Sequence, residues 1–173
     1  MPLKTHEFNE SAPVMLKKYL IISVIPLIFF CSSLFAQTIT EYEAMNYYMK
    51  GGMYEDWGNL TYAYSYFKAA EKKDPDNPMV KLSLARVALN MGKFEEAAGY
   101  ASWLIREGIE TVDATIYLAE ANYRLGNPAE AAANLESVVD DMSSYRRLRV
   151  LKFLYRIYNE LEETGKSINT LEE

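Results

Sequence analysis

Apolar positions along this chain fall into short stretches of helical period, punctuated by glycine and by asparagine–proline pairs. Leu84, Ala85, Val87, Ala88, Leu89 and Met91 crowd one such stretch, making it too apolar for a helix with more than one solvated side. Gly92 follows, the residue type that turns left-handed past a helix end at least cost. Phe94, Ala97 and Ala98 then restart an apolar stripe at helical spacing. The stretch reads as helix, tight turn, helix, with alanines where the two backbones meet. The figure recurs: glycines 58, 92 and 126 and alanines 63, 97 and 131 are each 34 residues apart. Seven positions before each glycine stands Gly51, Ala85 or Ala119, and seven after each alanine stands Ala70, Leu104 or Val138. A hairpin of this period cannot bury both faces alone, so neighbouring hairpins are predicted to stack. The pairs Gly51/Ala63, Ala85/Ala97 and Ala119/Ala131 would allow close helix approach, with Tyr54, Phe67, Leu84, Leu118 and Leu135 filling the gaps between repeats.

Element boundaries follow from local chemistry. Asn59 and Asn127 are predicted to cap second helices, and Pro128 suits a first helical position. Asp74-Pro75-Asp76-Asn77-Pro78 breaks the chain between repeats, with Asn77 as cap, and Gly108 and Thr111 do the same one repeat later. A last helix is predicted from Arg146 to Glu163, its buried face carrying Leu148, Leu151, Leu154, Tyr155, Tyr158 and Leu161. Val150, Phe153 and Ile157 lie on a second flank, read either as an imperfect solvated cap or as a surface for another chain.

The spacing resembles the tetratricopeptide repeat family over residues 44–163, as repeats 44–77, 78–111, 112–145 and a partial 146–163. The first repeat closes with Phe67-Lys68-Ala69-Ala70 and then Asp74-Pro75, similar to the family's closing pattern of aromatic, small residue and late proline. Later repeats depart from it: Ala101 replaces the aromatic, Ile109 and Ser143 stand in the place of Pro75, and Asn122 in that of Tyr54. The resemblance implies an all-α, right-handed α-solenoid of helix–turn–helix repeats, preceded by a short linker at 37–43 and followed by a tail at 164–173. It also implies a concave face built from the first helix of each repeat. That face would present Tyr48 and Glu55, then Leu82, Arg86, Leu89 and Asn90, then Ile116, Glu120, Tyr123 and Arg124. A mixture of aromatic, apolar and charged groups suits an extended or helical peptide. The clamp by which some relatives hold a C-terminal carboxylate is absent, because Tyr48, Gly52, Ser83, Asp113 and Tyr117 occupy its positions.

Upstream, residues 19–36 carry no charge and follow Lys17-Lys18, the layout of a secretory signal peptide with cleavage between Ala36 and Gln37. Two other readings stand beside cleavage: retention as a membrane anchor, against which Pro26 speaks, and lipid modification at Cys31, which the bulky Phe30 disfavours. Residues 1–14 read either as an unstructured lead or as the product of a start placed too early, since Met15-Leu16-Lys17-Lys18 would begin a signal unaided.

Charge and composition then exclude more than they add. The net charge of −6 argues against nucleic acid as partner. His6 and Cys31 are the only histidine and cysteine, both upstream of the expected cleavage, so nucleophilic triads, zinc sites and disulfides have no residues to use in the mature chain. No glycine-rich phosphate loop occurs, and Glu95-Glu96, Asp140-Asp141 and Glu162-Glu163 point apart on a helix rather than pairing. No catalytic residue, metal or cofactor is expected. The aromatic set from Tyr42 to Phe67 reads as core and edge packing, with carbohydrate stacking as a weaker reading. Arg146, Arg147, Arg149, Lys152 and Arg156 form a basic stripe that either faces an acidic partner or anionic headgroups, or is a solvated flank balanced by Asp140 and Asp141. Taken together, the residues indicate a non-catalytic module in the periplasm or cell envelope, binding a protein or peptide of unknown identity in a concave groove. The alternative is an assembly subunit that forms homo-oligomers through its last helix.

Overall fold

The computed structural model describes residues 38–109, 111–162, 166 and 170. The segment 19–36, Cys31, the Ala36–Gln37 junction and most of 164–173 lie outside them. From Glu43 onward the chain is one compact unit. Helix α1 covers residues 38–56, followed by α2 (Leu60–Lys73), α3 (Pro78–Asn90), α4 (Phe94–Arg106), α5 (Thr111–Arg124) and α6 (Pro128–Glu136). A single 3-10 turn, Val139–Asp141, leads into α7 (Ser144–Glu160). There is no strand among the described residues.

The helices pair as the repeat predicts. At Gly92 the backbone takes φ 78°, and the amide of Lys93 donates to the carbonyl of Ala88 at 2.9 Å while that of Gly92 donates to Leu89 at 3.0 Å. These two bonds occupy carbonyls that the end of α3 leaves unpaired, and the left-handed residue is what brings the amides round. The same turn recurs one repeat away on each side, where Asn59 donates to Tyr54 at 2.8 Å and Asn127 to Asn122 at 2.9 Å. Asn77 caps α3 by accepting from the amides of Met79 and Val80 at 3.0 and 3.3 Å, and Asn59 caps α2 by accepting from Tyr62 at 3.3 Å. Asn127 departs from expectation. Its side chain makes no capping bond, although its backbone, at ψ 61°, is close to that of Asn59, which does cap at ψ 76°.

Stacking divides the core into successive clusters instead of one centre, as expected when each hairpin touches only its neighbours. Ala63, Phe67, Ala70, Val80, Leu84 and Val87 form the first, and Ala88, Leu89, Ala97 and Ala121 the second. Ala119, Ala131, Leu135, Val150, Leu151, Leu154 and Ile157 dominate the third. The small residues at 51, 63, 85, 97, 119 and 131 are all buried. On the side of the second helices, the Tyr64 hydroxyl donates to Glu96 of the next repeat. Burial and that bond push the Tyr64 phenol up, while the same bond holds the Glu96 carboxyl below its usual range.

Two boundaries differ from the sequence reading. Helix α1 reaches back to residue 38, through the stretch read as a linker, because neither glycine nor proline interrupts it there. Helix α7 ends at Glu160, three residues before the expected Glu163, with Glu162 in the left-handed region at φ 59°. The faces of α7 also differ. Val150 and Ile157, assigned to an outer flank, are buried together with Leu151, Leu154 and Tyr158, whereas Leu148 is 52% exposed. The last helix has to cover both α5 and α6, which demands an apolar face wider than one stripe. The flank read as a solvated cap or a surface for another chain is therefore covered within this one at Val150 and Ile157, while Phe153 stays partly exposed.

Asn122, in the place where the first repeat has Tyr54, is buried with its amide nitrogen unpaired. An unmet buried donor costs about 1–3 kcal/mol. Asn122→Leu keeps the branching and number of heavy atoms and removes the donor, so a gain of about 1 kcal/mol is expected, read as a rise of a few degrees in the thermal midpoint. A lowered midpoint would show that the amide is satisfied in solution.

Candidate partner-binding groove

In each hairpin the first helix turns its small residue, Ala85 in α3 and Ala119 in α5, toward the second helix, both fully buried. Its opposite side is left to line the inner wall of the array. Between α3, α5 and α7 this wall closes into an open groove of about 640 Å³. Helix α3 contributes Arg86, Leu89 and Asn90, and α5 contributes Asp113, Ile116, Tyr117 and Glu120. Helix α7 adds Arg146, Arg149, Val150, Phe153 and Arg156. Leu89, Ile116, Val150 and Phe153 make an apolar floor, and charged side chains stand along it. Among the described residues no three His, Cys, Asp or Glu side chains converge where a metal ion could sit.

Five of the ten residues expected on the concave face line this groove together: Arg86, Leu89, Asn90, Ile116 and Glu120. Glu55 reaches its edge by holding Arg86 in a two-pronged ion pair, with Nε to Oε1 at 2.7 Å and Nη2 to Oε2 at 2.8 Å. The bond to Glu55 holds the Arg86 guanidinium above its ordinary value, against the cost of its partial burial. The other four lie outside the groove. Tyr48 packs on Phe67 with ring centres 5.6 Å apart, and Leu82 is half-buried. The Tyr123 ring meets Phe153 edge-on at 5.2 Å, and its hydroxyl donates to Glu160 at 2.8 Å, the bond that chiefly raises the phenol. Arg124 lies over the ring of Phe94 at 5.5 Å.

Seven lining residues were not assigned to the groove from sequence, five of them on α7. The signal for Arg146, Arg149 and Arg156 was present as the basic stripe, and that for Val150 and Phe153 as the second apolar flank. Arg146, Arg149, Phe153 and Arg156 recur at spacings of three, four and three, which places them on one side of a helix. The reading of that stripe as a flank balanced by Asp140 holds for Arg147, which pairs with Asp140 at 3.4 Å. Arg146 instead pairs with Asp113 across the groove, and Arg156 covers Phe153 and Tyr123 at 4.7 and 5.3 Å. What hid them was the fourth unit's lack of register with the first three, so that counting forward by the repeat did not place their side chains.

Residues 82–145 match the family model described as tetratricopeptide repeat. Among solved structures, the chain is similar to a thermophilic tetratricopeptide repeat protein of Thermus thermophilus, at 21% identity over 75% of this chain and 71% of that one, with a TM-score of 0.61. A tetratricopeptide repeat protein from Parabacteroides merdae aligns at 18% identity over 76% of this chain and 52% of its own length, with a TM-score of 0.65. MamA aligns at 20% identity over 70% of each chain, with a TM-score of 0.61. These likenesses establish the fold as an α-solenoid of the tetratricopeptide type. No curated protein sequence matches the chain.

Proposed function

We propose that this chain, a tetratricopeptide-type solenoid through its repeats, is an exported, non-catalytic interaction module of the cell envelope whose groove takes a segment of a protein partner. The tetratricopeptide fold points to protein partners in general. The observation that carries the finer reading is the preformed wall of α3, α5 and α7, where an apolar floor lies recessed between charged side chains. A groove already in shape spares the protein the ordering cost of association, and a floor with polar edges gives both contact area and register. Export is supported by Lys17-Lys18 followed by the uncharged run 19–36, with retention of that run as an anchor as the alternative to cleavage.

The test is a photoreactive side chain at Asn90, an exposed groove position, in the full chain. It is expected to crosslink a protein partner in envelope fractions, while the same probe at exposed Glu95 of α4, outside the groove lining, does not. Equal adducts from both positions, or recovery of the chain in the cytosol alone, would overturn the proposal.

A further inference from the structure

The groove carries the opposite sign to the chain. Four guanidinium groups line it, Arg86, Arg146, Arg149 and Arg156, against two carboxylates, Asp113 and Glu120, in a protein of net charge −6. Glu55 neutralises Arg86 and Asp113 neutralises Arg146, so two of the four cations are already answered within the fold. Arg156 is held on two aromatic rings and meets no carboxylate among the described residues, and exposed Arg149 has neither a carboxylate nor a ring as partner among them. Val150 and Phe153 lie between these two arginines on the same side of α7 and belong to the apolar floor.

From this we infer that the partner segment is acidic: a stretch of peptide whose aspartate or glutamate side chains meet Arg149 and Arg156 while an apolar or aromatic side chain settles on Val150, Phe153 and Ile116. This deepens the proposal that the groove binds a partner and rests on it. Guanidinium forks suit carboxylates because two parallel donors match two acceptor oxygens. Arg156, already oriented by its rings, loses little freedom when a carboxylate arrives. Anionic headgroups are the weaker match, since the floor is recessed between α3 and α7 where the plane of a bilayer does not reach.

The experiment uses the full chain and three labelled peptides of one length. The first alternates leucine and phenylalanine with aspartate and glutamate, the second replaces the acids by asparagine and glutamine, and the third replaces them by lysine; all have amidated C-termini. The acidic peptide is expected to bind at least about tenfold more tightly than the neutral one, and to weaken as salt rises. Arg149→Glu should abolish that preference, whereas Lys152→Glu, the same charge change at an exposed site outside the groove lining, should preserve it. Equal binding of acidic and neutral peptides would overturn the inference while leaving the groove reading intact. If no peptide binds, the inference also falls, and the Asn90 crosslink decides the groove reading separately. Binding to phosphatidylglycerol vesicles that Arg149→Glu removes, without the peptide preference, would assign the cations to a lipid surface and overturn the inference as well.

Discussion

Phe67→Ala is expected to cost about 3–5 kcal/mol, the largest single loss in the first two repeats. The ring is 1% exposed and fills the junction between α1, α2 and α3, against Gly51 and Tyr48 on one side and Ala63, Ala70, Val80, Leu84 and Val87 around it. Removing it opens a cavity between three packed helices, whose walls relax inward only in part. In a stacked array the damage stays near its source. Hydrogen exchange should show α1 and α2 losing protection first while α5 to α7 retain theirs, and the thermal midpoint of that end should fall by roughly 10 °C or more. Lys72→Ala, on the exposed side of the same helix, should move stability by less than about 0.5 kcal/mol. Equal protection of α1 in Phe67→Ala and the parent would show that the ring is not what joins the first two helices.

Gly51→Ala is expected to destabilise by about 1–3 kcal/mol, although replacing glycine inside a helix by alanine ordinarily gains about 1 kcal/mol. A methyl group built at residue 51 would lie 2.6 Å from two carbons of the Phe67 ring. No real contact is that short, so the ring or the helix must move, and the ring has nowhere to go. The cost therefore outweighs the propensity gain. Phe67→Leu should relieve it, and in a double-mutant cycle Gly51→Ala should become neutral or stabilising in the Phe67→Leu background. Additive effects of the two substitutions would sink this explanation.

That pair shows where reading the sequence reaches its limit. Gly51, Ala85 and Ala119 occupy one register position, and the period alone treats them as equivalent small residues. They are not interchangeable, because the residues at the facing position are Phe67, Ala101 and Leu135, and only the ring at 67 needs the space of a missing Cβ. The volume is shared across the two helices, and no single-position pattern displays a shared volume. The groove divides similarly. Arg86, Leu89, Ile116 and Glu120 were legible because α3 and α5 keep the period, while on α7 Arg149 and Arg156 were visible only as a charged stripe and Phe153 only as an apolar flank.

By itself, the sequence determined that this protein is a stack of helical hairpins: glycine turns and buried small residues at constant spacing act through local backbone geometry and nearest-neighbour packing, both of which period reports. It also determined that neither histidine nor cysteine occurs downstream of Ala36. Only the tertiary structure decided which face of α7 turns inward, that Arg86 is clasped by Glu55, and that guanidinium groups and an apolar floor meet in one groove. Those outcomes depend on how helices far apart in the chain are rotated against each other. That rotation is set by the summed fit of side chains from three helices, and no local stretch of sequence contains that sum.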